Sequence, residues 1–196
     1  MSALAEQLPF HAEAYLAWEE EQPEKHEYFQ GEAFAMVGAR QEHVLVSLNL
    51  AAALKQRLRG GPCRTYVADM KLRVAAADAF FYPDVMVSCD ARDHAAALSL
   101  EHPRLIIEVL SARTEAFDRG AKASAYRLLP SLREYVVVDI GARRLEVYHR
   151  TDQGDWHLRD CLPAEGSCRL ASLELELPFA EIFEDMPIVG SAPETE

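Results

Sequence analysis

At 196 residues with 49% hydrophobic content, the chain can bury a sizeable core and reads as one domain over residues 1–186, with a disordered tail over 187–196. No apolar run approaches the ~18 residues of a membrane-spanning helix, and Met1-Ser2-Ala3-Leu4-Ala5-Glu6 lacks the basic and apolar parts of a secretion signal. Membrane partners are therefore not expected, and a cytoplasmic location is. The net charge of −12 is unlike the overall basicity of many nucleic-acid-binding proteins. However, residues 40–150 carry 17 Lys and Arg against 13 Asp and Glu, while the two ends together carry 3 against 19. That mildly basic middle leaves room for a phosphate-facing patch.

In chain order, Ala12 to Glu20 reads as a helix anchored by Tyr15, Leu16 and Trp18 and stopped by Pro23. Glu27 to Met36 reads as a hairpin turning near Gly31, with Glu32, Phe34 and Met36 on one face. Gln41 to Arg59 is the clearest helix. Val44, Ser47, Leu50, Ala51, Leu54 and Leu58 form its apolar arc, His43 falls inside that arc, and Gly60-Gly61-Pro62 ends it. Arg64 to Val74 alternates apolar and polar residues around an interruption at Asp69-Met70, which predicts two strand segments or one bulged strand.

Tyr82 to Cys89 and Leu105 to Leu110 are short runs rich in β-branched residues, and they read as buried strands. A polar connection with a helical turn joins them. A helix follows from about Phe117 to Leu129, with Ala121, Ala125, Tyr126, Leu128 and Leu129 inward and Arg119 and Arg127 on the solvent side. Lys122 lies within the inward arc. Glu134–Asp139 and Arg144–His149 form a predicted hairpin around Gly141. Trp156–Cys161 and Leu170–Leu177 are further strands, and Phe179–Phe183 is a closing helix. Cys63, Cys89, Cys161 and Cys168 show no paired zinc spacing and read as four structural thiols.

The chemistry gathers between Tyr82 and Asp139. Asp84 sits at the mouth of one buried strand and Glu108 lies deep in the next. A buried carboxylate costs several kcal/mol unless compensated, and a bound cation is one compensation that also performs chemistry. Taken singly, each residue has a plainer reading. Asp84 can open a strand after Pro83, Glu108 can pair with a cation, Lys122 can extend its amine to solvent, and His43 can be a hydrogen-bonded core histidine.

Pro83-Asp84-Val85, Ile107-Glu108-Val109-Leu110-Ser111, Asp118-Arg119-Gly120-Ala121-Lys122 and the run from Leu129 to Asp139 occur in an order that resembles the PD-(D/E)XK nuclease superfamily, and within it the Uma-type family of restriction-endonuclease-like proteins. Gly31-Glu32, His43 and Gly60-Gly61-Pro62-Cys63-Arg64 add to the likeness, which runs from about Tyr15 to Phe183. The resemblance implies an α/β (α+β) restriction-endonuclease-like fold: a mixed central β-sheet flanked by helices, with extra C-terminal strands. It implies an endonuclease using Mg²⁺ or Mn²⁺ on nucleic acid, with DNA the expected substrate. Asp84, Glu108 and the Val109 carbonyl would hold the metal, Lys122 would assist catalysis, and Glu32 and His43 would support it. The superfamily's usual lysine position, two residues after the second carboxylate, is Leu110 here, so the helix residue Lys122 takes the expected role. Two alternatives stay open: a binding module that keeps the fold without catalysis, and a metal-dependent phosphohydrolase on smaller nucleotides. Homodimers are common in the superfamily, although no interface is visible in the sequence.

Overall fold

The computed structural model describes residues 6–7 and 11–186, so the tail expected over 187–196 lies outside the described residues. The elements in chain order are β1 (Glu6–Gln7), α1 (Ala12–Glu20), β2 (His26–Phe29), β3 (Glu32–Ala35), α2 (Gln41–Arg57), β4 (Arg64–Val67), β5 (Lys71–Val74), β6 (Ala79–Phe81) and β7 (Val85–Ser88). They continue with α3 (Ala91–Ala95), β8 (Ser99–Leu100), β9 (Leu105–Val109), α4 (Glu115–Phe117), a π-helical turn (Asp118–Lys122) and α5 (Ala123–Tyr126). The chain then forms β10 (Glu134–Asp139), β11 (Arg144–Arg150), β12 (Trp156–Cys161), β13 (Ser167–Leu170), β14 (Leu175–Pro178) and α6 (Phe179–Ile182).

The expected mixed sheet is present, in the order β12-β11-β10-β9-β7-β4. Its one parallel pair is β9 with β10, joined by the helical crossover through α4 and α5, as parallel pairing requires. A second sheet, β1-β3-β2-β6-β5-β8, gathers the N-terminal hairpin with the strands that precede β7. Each strand of the mixed sheet sends alternate side chains to opposite faces. On one face Val85, Ile107, Val136 and Val147 pack under α2 and α6. On the other, Met86, Ile106, Tyr135 and Val137 pack against Tyr126, Leu129, Leu72 and Phe81. Glu108 belongs to this second face, where the helical crossover and the second sheet meet.

The hairpin turn is Gln30-Gly31, both with positive φ (51° and 89°), the backbone of the primed two-residue turns that suit twisted strands. It sets Glu27 opposite Phe34 and Phe29 opposite Glu32. These four residues share one face, and the Phe29 ring meets Phe117 edge-on while Phe34 lies tilted against it.

Several sequence expectations need correction. The buried stripe of α2 is Val46, Leu50, Ala51, Ala53 and Leu54, while Val44 is 53% exposed. The helix is rolled toward the sheet so that His43, three residues before Val46, heads the buried stripe. Leu128 is likewise exposed, because the helix ends at Tyr126 and the chain turns before reaching it. Arg119 does not simply face solvent: its guanidinium forks onto the buried Glu146 and also holds Glu115 at 2.9 Å.

Leu170–Leu177 is not one strand but the hairpin β13–β14. Buried Glu134 draws in the connecting turn, accepting from the Ala171 N–H (2.9 Å), the Ser172 N–H (3.0 Å) and the Ser172 hydroxyl (2.5 Å). The four cysteines are paired rather than separate thiols: Cys63 with Cys89 and Cys161 with Cys168. Cys63 and Cys89 directly continue the β4–β7 ladder beyond Arg64 and Ser88, so strand register places them opposite each other.

Candidate active site: a buried acidic cluster with one open carboxylate

The backbone just before β7 leaves the sheet ladder. Pro83 has no N–H, and the flanking N–H groups bond to side chains instead. The Tyr82 N–H donates to Glu27 Oε1 at 3.1 Å and the Asp84 N–H to Glu108 Oε2 at 3.3 Å. The Asp84 carboxylate folds back across the sheet, where its Oδ2 accepts from the Val109 N–H at 2.8 Å. His43 Nε2 lies 3.2 Å from the same oxygen. The first turn of α2 and the ends of β7 and β9 therefore meet on one carboxylate. About one fifth of the Asp84 side chain (19%) remains exposed, which makes it the open point of the cluster.

Glu108 is 2% exposed. Its Oε1 accepts from the Tyr126 hydroxyl at 2.7 Å and from Lys122 Nζ at 3.2 Å. The Lys122 ammonium also lies 2.8 Å from Glu27 and 3.3 Å from Asp118. Phe81 and Phe117 close over it at 5.8 Å from each ring centre. The π-helical turn serves two anchors at once. Glu108, Val137 and Glu146 form one cross-strand row on the same face of the sheet. Lys122 reaches the first of the row and Arg119 the third, so this turn is held at both of its ends. Single π turns of this kind often occur at functional sites.

The electrostatics follow from this packing. Burial alone would lower the Lys122 pKa, but Glu108, Glu27 and Asp118 outweigh it and hold it well above the usual lysine range. Burial raises the Glu108 carboxyl well above the carboxylate range, with Asp118, Asp84 and Glu27 adding to the rise and Lys122 opposing it. His43 is raised chiefly by its hydrogen bond to Asp84. Burial opposes this, while the Asp84 charge and a hydrogen bond to the Val109 backbone reinforce it.

For His43 the consequence for stability can be checked in metal-free buffer. Its folded pKa lies above its unfolded value of 6.5, so the folded state holds the proton more tightly. The stabilisation is complete below pH 6.5 and is lost as pH rises through the folded value. An imidazole titration by NMR should show the upward shift in the native protein, and Asp84→Asn should abolish most of it.

The structure therefore brings Asp84, Glu108, Val109, Lys122 and His43 together. It does not bring Glu32 into contact with them. Glu32 lies two residue pairs nearer the hairpin turn, on the same face as Glu27, and its side chain makes no hydrogen bond or ion pair among the described residues. Glu27 holds the lysine in its place. Ser111 does not reach Glu108 but caps the turn into α4 through Thr114, at 3.1 Å between hydroxyls. Sequence reasoning missed Glu27 and Asp118 as members of the cluster. The i,i+4 spacing of Asp118 and Lys122 was the available signal for Asp118. For Glu27 it was the hairpin register around Gln30-Gly31.

The mixed sheet with its helical crossover is a fold shared with a nuclease-like structural neighbour. The crystal structure of a "putative nuclease belonging to DUF820" from Anabaena variabilis superposes with a TM-score of 0.68, covering 89% of this chain and 98% of that one at 15% identity. The chain belongs to the Uma2 family, described as "Putative restriction endonuclease", whose pattern matches residues 12–180. Two uncharacterized proteins of Synechocystis sp. are 39% identical over 168 residues (86% of this chain, 87% of the relative) and 33% identical over 173 residues (87% and 94%). No helix among the described residues is long and apolar enough to cross a membrane.

Proposed function

We propose that this protein is a Mg²⁺- or Mn²⁺-dependent endonuclease that hydrolyses phosphodiester bonds in DNA at the Asp84–Glu108 cluster. The observation that carries the reading is a charge imbalance. Four carboxylates, Asp84, Glu108, Glu27 and Asp118, surround one ammonium, Lys122, and one imidazole, His43. Four acidic groups against two basic ones leave an acidic excess that a divalent cation would offset, and such a cation would also favour the charged form of Glu108 against its burial.

The donors suit a hard cation. Among the described residues Asp84 Oδ1 accepts no hydrogen bond and Glu108 Oε2 accepts only from the Asp84 N–H, and the Val109 backbone lies alongside. Among the described residues no three His, Cys, Asp or Glu side chains converge to hold a metal. Mg²⁺ commonly binds through one or two carboxylates and otherwise through water and substrate oxygens, so two carboxylates suffice. Asp84 and Glu108 would hold the ion, with the Val109 carbonyl as a third donor. Bound there, it would lower the pKa of water and neutralise charge on the phosphate.

The chain's own groups have separate tasks. Lys122 opposes the protonation that burial favours at Glu108 and holds a fixed positive charge beside the reacting phosphate, worth more in this water-poor setting than in solvent. Tyr126 and the Asp84 N–H fix the Glu108 carboxylate in one orientation. His43, protonated beside Asp84, offers a proton at the open side of the cluster, where a departing oxygen needs one. Asp118 and Glu27 hold the ammonium in place. The test is nicking of supercoiled plasmid by the whole chain. Cleavage should require Mg²⁺ or Mn²⁺ and stop with EDTA, and an absence of nicking with both metals would count against the reading.

A further inference from the structure

A second charged feature lies at the other end of α2. A cleft of about 440 Å³ opens between the end of this helix and edge strand β4, with Lys55, Arg59, Gly60, Gly61, Arg64 and Tyr66 in its walls. A neighbouring cleft of about 410 Å³ shares Lys55 and Arg59 and adds Ala52 and Gln56. No carboxylate lines either cleft. Arg57, on the same helix, bonds Glu181 at 2.8 Å. Lys55 and Arg59 have no side-chain hydrogen bond or ion pair among the described residues. Arg64 donates only to the His94 carbonyl, at 3.3 Å.

Cations at the C-terminal end of a helix complement its dipole, which accounts for Lys55 in the last turn of α2 and Arg59 two residues past it, taken one by one. It does not account for Arg64, which comes from β4 on the facing wall. That wall is fixed by the strand pairing of Arg64 with Ser88 and by the adjoining Cys63–Cys89 bond. Three cations from two separate elements, the end of α2 and β4, thus surround one open space with no carboxylate in its lining.

We propose that this cleft is a phosphate-binding subsite that holds the backbone of the nucleic acid cut at the acidic cluster. The proposal rests on the endonuclease reading for its substrate, but not on the metal chemistry. Guanidinium forks and a lysine point charge are the usual protein partners of phosphate oxygens. Lys55 lies twelve residues beyond His43, about 18 Å along the helix at 1.5 Å per residue. That is about five base-pair steps at 3.4 Å each, within one turn of duplex. The subsite supplies the local positive charge that an acidic protein needs to hold a polyanion near a carboxylate cluster.

The experiment uses the whole chain carrying Asp84→Asn, in EDTA, with a labelled short DNA duplex. Its binding is compared with that of the same chain also carrying Lys55→Glu and Arg59→Glu, from about 50 to 200 mM salt. The expected result is at least a tenfold loss of affinity at the lower salt and a salt slope smaller by about two, since each phosphate contact contributes about 0.9. Matching thermal melts would show that the reversed chain is folded, and Arg64→Gln should give a smaller loss of the same kind.

Inorganic phosphate serves as a second probe. If it protects Lys55 from amine modification while the duplex does not bind, the site takes small phosphates, and the backbone assignment fails. Unchanged affinity and slope in the reversed chain would also overturn the subsite, as would a change in oligomeric mass in place of a change in DNA binding. Metal-dependent nicking that persists without cleft-dependent binding sinks the subsite alone. Cleft-dependent binding without nicking by the native chain sinks the endonuclease reading alone.

Discussion

Asp84→Asn is expected to lower metal-dependent plasmid nicking by about 100- to 1,000-fold, the usual cost of removing one preorganised electrostatic partner from a reacting centre. Asparagine preserves the size of the side chain and one oxygen. It can still accept from the Val109 N–H, which in the native protein donates to Asp84 at 2.8 Å. What is lost is the charge at the one partly open carboxylate of the cluster and the ionic partner of His43. The fold should survive, because Asp84 is 19% exposed and the strand it precedes is held by its ladders to β4 and β9. Stability within about 1 kcal/mol of wild type in urea, together with lost cleavage, is the expected combination. Cleavage retained within threefold would remove Asp84 from the chemistry.

Lys122→Met should act on stability instead, lowering it by about 3–5 kcal/mol at neutral pH, as for other buried pairs that lose one partner. Methionine fills similar space between Phe81 and Phe117, so little packing is lost. The cost arises because Glu108, Glu27 and Asp118 are left facing one another without their shared cation. Two further results should accompany it. Lowering the pH should narrow the gap to wild type as the stranded carboxylates take up protons, and adding Glu27→Gln should restore part of the loss. Urea unfolding of the three proteins, at neutral and mildly acidic pH, measures all of this. A loss below about 1 kcal/mol would mean that the ammonium is not the keystone of the cluster.

Much of the frame was legible because its signals are local. Ala12–Glu20 reads with the bounds that α1 has, and of the two readings open for Arg64–Val74, two segments or one bulged strand, the structure shows the first, with β4 and β5 in different sheets. The two buried runs bearing Asp84 and Glu108 could be read because strands buried on both faces are continuous in apolar residues. Lys122 stood out as a lone cation on an inward arc, and it is enclosed as that position suggested. The misreadings share a physical cause, since each depended on a partner distant in sequence. The roll of α2 is set by the sheet beneath it, so an arc drawn from the helix alone placed Val44 inside. Glu134 lies 37 residues from the turn that it captures at Ala171, and nothing near Leu170–Leu177 announces that break. Cys63 and Cys89 meet only once β4 pairs with β7. Glu27 was hidden by register: a hairpin face drawn from β3 alone contains Glu32, and only pairing across Gln30-Gly31 puts Glu27 on that face, opposite Phe34.

The central claim is that Asp84 and Glu108 together hold a divalent cation, and Mn²⁺ binding followed by electron paramagnetic resonance tests it without requiring turnover. Wild-type protein should take up Mn²⁺ at one site, Mg²⁺ should displace it, and both Asp84→Asn and Glu108→Gln should abolish the uptake while remaining folded. Equal Mn²⁺ binding by wild type and both variants, or none by wild type, would contradict the account and leave the cluster as an ion network that holds α4, the π turn and β9 together.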